Sequence, residues 1–438
     1  MTPGEPGYDE GRMVFYGGID RRPAAIVRAA NADDVSRVIA IARETRAELA
    51  IRSGAHSIPG HSTTEGGIVL DLRDLDELEI DVEGRTAWVG GGVTTGRYTK
   101  AAAEHGLATP FGDTGSVGIG GLTLGGGVGF LVRKHGLTID DLLAAEVVTA
   151  DGQLLRVDAE SHPDLFWAIR GGGGNFGVAT RFQFRLQELD GIVGGMLILP
   201  ATADTIYGFM AEAEAAPEEL SAIANVMPAP PMPFLPPEQH GRLVIFALLA
   251  YAGDVDAGTR AVAPFRALAE PVADMVRPMR YPELFQGPGD EGEFRPVGIA
   301  RTMYVDSIDR SAAETIVEQL QASTAMMAAT QLRVLGGAAA RVPVDATAYA
   351  HRQSRIMVNV AALFASPEQA PEHEPWVVGL ADALRQDDTA AYVNFLDNEG
   401  EERIRAAYPG ATWDRLVEVK RRYDPTNLFR LNQNIPPG

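Results

Sequence analysis

Residues 52–62 read Arg-Ser-Gly-Ala-His-Ser-Ile-Pro-Gly-His-Ser, set between the apolar runs Leu49-Ala50-Ile51 and Ile68-Val69-Leu70. A Gly-rich loop between two strands lets backbone N–H groups approach an anion closely, because no Cβ stands in the way. Arg52 adds a cation for a phosphate. His56 adds an imidazole, which is neutral and nucleophilic near pH 7. Two further Gly-rich runs, residues 112–129 and 171–177, strengthen this signal. The first lacks the Gly-Lys-Ser/Thr ending of a P-loop. It also lacks the strand–Gly–helix unit and following acidic residue of a dinucleotide fingerprint. Val117, Ile119, Leu122 and Leu124 are interleaved with its glycines. A flexible linker is not built that way. Backbone lying against a large planar ligand is.

Strands and helices that alternate along the first part must position these loops. Ala24–Val27 reads as a strand, and Asn31 caps a helix whose apolar face is Val35, Val38, Ile39 and Ala42. Leu49–Arg52 then completes a βαβ unit. Trp88–Gly90 is a further strand, and Thr94 or Thr95 caps a helix over 96–105. The segments 145–149 and 154–157 flank the hairpin pair Asp151-Gly152. Thr180–Leu186 is the last strand of this part. Beyond Met196, helical segments (203–216, 310–328, 375–385) alternate with apolar strands at 243–251, 299–305, 332–335, 356–364 and 391–395. That pattern predicts an antiparallel or mixed sheet covered by helices. A helix over 413–423 precedes a polar tail.

The chain has 438 residues, enough for two domains. Charged residues are 22% and the net charge is −21, which argues against a nucleic-acid partner. There is no cysteine, so disulfides, thiolate metal sites and cysteine nucleophiles drop out, and no metal is expected. The N-terminal residues show no apolar signal-peptide core, and no apolar run is long enough to span a membrane. A cytoplasmic protein without membrane contact is the expectation.

Four motifs in order match a known group. They are Arg52–His56, the run 112–129, Pro163-Asp164-Leu165-Phe166-Trp167-Ala168-Ile169-Arg170-Gly171-Gly172-Gly173-Gly174-Asn175-Phe176-Gly177-Val178, and the tail Tyr423-Asp424-Pro425-Thr426-Asn427-Leu428-Phe429-Arg430-Leu431-Asn432-Gln433-Asn434-Ile435. The chain resembles the berberine bridge enzyme-like FAD-linked oxidases of the vanillyl-alcohol oxidase superfamily. The resemblance implies an α+β fold with a two-part PCMH-type FAD-binding domain and a substrate domain built on an antiparallel sheet covered by helices. The boundaries expected are 1–190 for FAD binding, 191–412 for substrate, and 413–438 for a C-terminal return to the flavin.

The resemblance further implies FAD bonded through His56 to its 8α-methyl. Thr114 stands where some relatives carry a second, cysteine attachment, so a single bond is expected. The implied cofactor contacts are Arg52, Ser53, Gly54, Ala55, Ser57, Gly60 and His61 from the first loop. Asp113, Thr114, Val117, Gly118, Gly120, Gly121 and Gly127 follow from the second. His135, Val147, Asn432 and Asn434 complete them. Ile119 matches a position where side-chain bulk influences oxygen access.

On the substrate side Arg333, Leu335 and Gly337 would share one strand face. An amine-oxidising member of the family carries charged groups on that strand, whereas this chain has mostly apolar or small ones. Tyr392-Val393-Asn394-Phe395 matches a motif that often ends in a catalytic Tyr, and Phe395 cannot take a proton. Tyr392, Tyr304, Arg333 and Asn394 are the remaining catalytic candidates. His351 and Arg352 read as structural. The implied reaction is hydride transfer from a small-molecule CH–NH or CH–OH donor to FAD, with O2 reduced to hydrogen peroxide. An amine ranks slightly ahead of an alcohol. A dehydrogenase with another acceptor and a silent flavin-binding protein are the competing readings. A monomer or homodimer is expected.

Overall fold

A computed structural model describes residues 1–285, 295, 297–386 and 389–438. Three sheets carry the fold. In the first, Ile68–Asp71 lies between Ala25–Arg28 and Leu49–Arg52, all parallel. The βαβ crossover therefore skips one position, which a later strand fills. Its helix, Ala32–Thr45, starts where Asn31 accepts a bond from the Asp34 amide and stops at Arg46 in the left-handed region. Val35, Val38, Ile39 and Ala42 recur at helical spacing and are buried against this sheet.

The second sheet is antiparallel, in the order Leu78–Asp81, Thr86–Gly90, Val178–Arg185, Leu142–Val148, Leu154–Asp158. The hairpin turns at Asp151-Gly152, where Gly152 has φ +87°. Helix Thr95–Ala103, capped by the Thr94 side chain, packs within the same core.

The third sheet has eight antiparallel strands. Its path runs Ala273–Asp274, Ile192–Pro200, Leu243–Tyr251, Leu220–Pro228, Met327–Val334, Ile356–Phe364, Val297–Val305, with Arg277–Met279 beside Ile192–Pro200. Alternate residues such as Leu197, Ala224, Ile245, Leu332 and Val358 point into one core. Residues of Ala203–Ala215, Val255–Arg266, Arg310–Ala322 and Ala370–Leu384 cover that face. Burying each Leu, Ile or Val side chain among them contributes about 1.5–3 kcal/mol. The opposite face looks toward the Gly-rich loops.

Three expectations are corrected here. Ile192–Pro200 and Leu220–Pro228 are strands that the sequence pattern did not reveal. Residues 391–395 are not a strand, because Val393–Phe395 form a single 3-10 turn. The helix begun at Arg310 ends at Ala322, and Met327 already belongs to a strand. The last helix, Ala411–Tyr423, packs on Pro163–Ala168, so the tail returns to the first half of the chain. No helix among the described residues is long and apolar enough to cross a membrane.

Candidate active site

The three Gly-rich segments, the C-terminal tail and the open face of the large sheet converge on one cavity of about 500 Å³. Ser53, Gly54, Ala55, His56, Ser57 and His61 line it, as the sequence predicts. Arg52 does not. Its guanidinium is fully buried and donates to the carbonyls of Ser62 (3.1 Å), Gly11 and Arg12 (3.3 Å). The parallel register places Asp71 opposite it, 3.8 Å from its Nη1. With an internal carboxylate and three carbonyls engaged, Arg52 braces the loop from behind and is no phosphate ligand. Gly60 is also turned away. It makes the turn at φ +71°, and a Cβ there would meet Ile19.

Ala55 has φ +59°, a conformation that costs a side-chain-bearing residue about 1–3 kcal/mol. It sits immediately before His56, where the chain turns into the cavity. The Phe15 amide donates to the Ala55 carbonyl at 3.1 Å. The Phe15 ring stacks on His56 with centroids 4.1 Å apart. Burial lowers the His56 pKa to about 4, so its imidazole is neutral at pH 7. Burial, assisted by the Arg21 charge, holds His61 at about 4 as well. His61 Nε2 is buried without a hydrogen-bond partner.

The second Gly-rich run is no extended platform. Ile119–Leu124 forms a short helix. Asp113, Thr114, Val117, Gly118, Gly120 and Gly121 line the cavity. Gly54 and Gly118 touch backbone to backbone, and a Cβ on Gly54 would lie 2.1 Å from the Gly118 nitrogen. Gly121 and Gly174 differ, since both line the cavity and a Cβ on either would meet nothing within 4 Å. Neither packing nor a positive φ requires glycine there. Bare backbone facing open space suits close approach by a ligand.

Several expected contacts are corrected. Gly127 lies behind the wall at φ +77°, where a Cβ would strike Thr138 Oγ1. Ile119 is fully buried in the core and does not reach the cavity. His135 ends the helix Val132–His135 outside the lining. Val147 packs behind Gly177. Asp140 forms a two-point ion pair with Arg352 at 2.8 Å, which gives Arg352 its structural role.

The tail is tied down by a buried ammonium. Lys420 Nζ donates to the Asn175 carbonyl (2.8 Å), Asp424 Oδ2 (2.7 Å) and the Phe429 carbonyl (2.9 Å). Asp424 in turn accepts the amides of Leu428 and Phe429. Asn175 donates to the Gln433 carbonyl and accepts the Ile435 amide, clamping the tail to the third Gly-rich loop. Asn432 and Gln433 line the cavity, and Asn432 Oδ1 is buried without a partner. Asn434 falls outside the lining.

The opposite wall is made of side chains. Gln331 and Arg333 come from one strand and Asn359 from its neighbour, with Tyr392, Asn394 and Phe395 from the turn at 392–396. Arg333 pairs with Asp113 across the cavity and lies 5.4 Å over the Phe395 ring. Tyr392 Oη accepts the Gly127 amide and Asn394 Nδ2, each at 3.0 Å. Burial raises the Tyr392 pKa from its ordinary value against those two bonds. Tyr304 is corrected. It is buried behind this wall, its hydroxyl 2.6 Å from that of Tyr349, and does not line the cavity. Leu335 and Gly337 lie past the end of their strand, so they share no face with Arg333. Phe15, Tyr16, Asn175, Gln331, Asn359 and Gln433 also line the cavity, and the sequence does not single them out.

Bare backbone, orphaned polar atoms at His61 and Asn432, and a neutral imidazole fit an FAD site. Comparison with known proteins agrees. A family described as FAD binding domain matches residues 23–158, and one described as berberine and berberine like matches 391–436. (R)-6-hydroxynicotine oxidase of Paenarthrobacter nicotinovorans is 31% identical over 450 residues, covering 100% of this chain and 96% of that one. Berberine bridge enzyme-like 17 of Arabidopsis thaliana is 28% identical, covering 96% and 86%. The crystal structure of 6-hydroxy-D-nicotine oxidase from Arthrobacter nicotinovorans superposes with TM-score 0.86 at 28% identity, covering 100% and 97%. Fold and site define an FAD-dependent oxidoreductase. The chain belongs to the berberine bridge enzyme-like family of FAD-linked oxidoreductases.

Proposed function

We propose that FAD is joined to His56 by one covalent bond, and that the protein takes hydride from a carbon bearing nitrogen in a small-molecule donor, with O2 as acceptor and hydrogen peroxide as product. Bound FAD supplies the two-electron acceptor. Neutral, stacked His56 has the lone pair that attachment needs. The absence of cysteine leaves no thiol for a second bond. With Arg52 engaged elsewhere, backbone amides of the loop at 53–57 and of Gly118, Gly120 and Gly121 are left to meet the diphosphate.

One observation carries the choice of donor. The two side chains that could serve as bases there, Tyr392 on the substrate wall and Asp113 facing it, are both committed. Tyr392 keeps its proton at pH 7 because burial raises its pKa, outweighing the two hydrogen bonds its oxygen accepts, which act the other way. Asp113 is held by Arg333. An alcohol needs a base for its hydroxyl proton as hydride leaves. A neutral amine needs none, since its lone pair drives hydride loss. Tyr392 therefore acts as a hydrogen-bond donor that orients the substrate. Asn394 and the Gly127 amide hold its phenol in place.

Anaerobic bleaching of the flavin by a panel of amines, alcohols, sugars and phenols tests this. Amines should bleach fastest, and Tyr392→Phe should keep most of the rate. Faster bleaching by alcohols, together with collapse of the rate in Tyr392→Phe, would reverse the assignment.

A further inference from the structure

We infer that Arg333 and Asn359 form a donor–acceptor pair that selects a substrate carrying a neutral carboxamide-type group, a carbonyl oxygen beside an N–H. This rests on the cavity being the substrate site. The two residues lie on neighbouring strands of the large sheet. Met357 is directly opposite Arg333, and Asn359 is two positions further along. They are thus diagonal neighbours on one face, with α-carbons about 7–8 Å apart.

The orientation of Arg333 is fixed by a directed chain of bonds. Asn225 Nδ2 donates to the Phe246 carbonyl at 3.2 Å. Gln331 Nε2 donates to Asn225 Oδ1 at 2.8 Å. Arg333 Nε donates to Gln331 Oε1 at 2.8 Å, Nη1 to the Val128 carbonyl at 3.4 Å, and Nη2 to Asp113. A guanidinium has five N–H groups, so two remain. They belong to a group only 5% exposed that lines the cavity. Gln331 has both ends of its amide engaged and offers a ligand nothing comparable.

Asn359 is the complement. It is the cross-strand partner of Gln331, it lines the cavity, and its Oδ1 is buried with no hydrogen-bond partner. A buried acceptor left unpaired is costly, and an N–H or O–H on the ligand satisfies it. Charge narrows the class. Arg333 already has Asp113 as counter-ion, so a second carboxylate would be poorly compensated, whereas a carbonyl oxygen needs only the spare N–H groups. Asp113 is the one carboxylate among the described lining residues, and it is occupied. A cationic group therefore has no free partner on this wall.

Benzamide, benzoate and methyl benzoate serve as probes on the holoprotein, with binding read from flavin absorbance and from the shift in melting temperature. These readouts need no turnover, so failure here is separable from failure to oxidise amines. Benzamide should bind at least tenfold tighter than benzoate. It should also bind several-fold tighter than methyl benzoate, which lacks the N–H. Asn359→Leu should make benzamide and methyl benzoate equal, and Arg333→Met should weaken both. Asp113→Asn with Arg333→Met removes both charges together, and should show the same weakening if the single variant folds poorly. Tighter binding of benzoate, no binding by any probe, or a benzamide preference that survives Asn359→Leu would overturn the assignment.

Discussion

The two walls of the cavity are built by opposite means. The cofactor wall is mostly backbone. Glycines at 54, 118, 120, 121, 173 and 174 strip it of side chains, and its histidines are neutral. The substrate wall is mostly side chain, an amide, a guanidinium and a phenol held by directed hydrogen bonds. The first is suited to a large ligand, with open space and bare backbone. The second is suited to discriminate, with a few donors and acceptors that only some ligands would satisfy. Changes on the first wall should therefore alter cofactor loading, and changes on the second should alter which donor reacts.

The largest expected effect comes from the buried ammonium behind the cofactor wall. Lys420→Met leaves the Asp424 carboxylate buried without its partner, a loss of about 3–5 kcal/mol. Denaturant unfolding should show it, together with reduced FAD loading, because Lys420 ties residues 428–435 to the third Gly-rich loop. A stable variant with full loading would remove the tail from the cofactor wall.

Gly121→Ala sharpens the comparison because its two effects have opposite sign. Glycine inside a helix costs about 0.5–1 kcal/mol relative to alanine, so the apoprotein should gain stability by up to that amount. FAD loading should fall, since the added methyl occupies open cavity. Unchanged loading would show that the bare backbone there is not a cofactor cradle.

Tyr304→Phe should have the smallest effect. It removes the bond to Tyr349, worth about 0.5–1.5 kcal/mol of stability. Stopped-flow flavin reduction should stay within about tenfold of the parent, the equivalent of about 1.4 kcal/mol in the barrier. A larger fall would bring Tyr304 back into the chemistry.

The same contrast explains what could be read from the sequence. Residues 53–57 and 113–121 are contiguous, so the pattern of glycines around His56 exposes their place in the cavity locally. Arg52 looks like a phosphate ligand in the sequence because its actual partners, the carbonyls of Gly11 and Arg12, come from far along the chain. Gly127, His135 and Val147 are close in sequence or fold to cavity residues, yet they support the wall from behind. Tyr304 points to the correct side of the sheet, but Tyr349 covers it. Gln331 and Asn359 did leave a signal. With Asn225 they are amides on three adjacent strands, and strand register lines them up. That signal needs the strand Leu220–Pro228, in which Ala222, Ala224, Asn225 and Pro228 are residues of weak β propensity. Phe15 left no signal, because its stacking on His56 depends on an irregular segment.

The central claim is covalent attachment of FAD at His56, and the mass of the denatured protein tests it most directly. The intact chain should exceed the polypeptide mass by one FAD and remain yellow after acid precipitation, whereas His56→Ala should return to the bare polypeptide mass and release its flavin. A native chain at polypeptide mass, or a His56→Ala chain that still carries the added mass, would contradict the account.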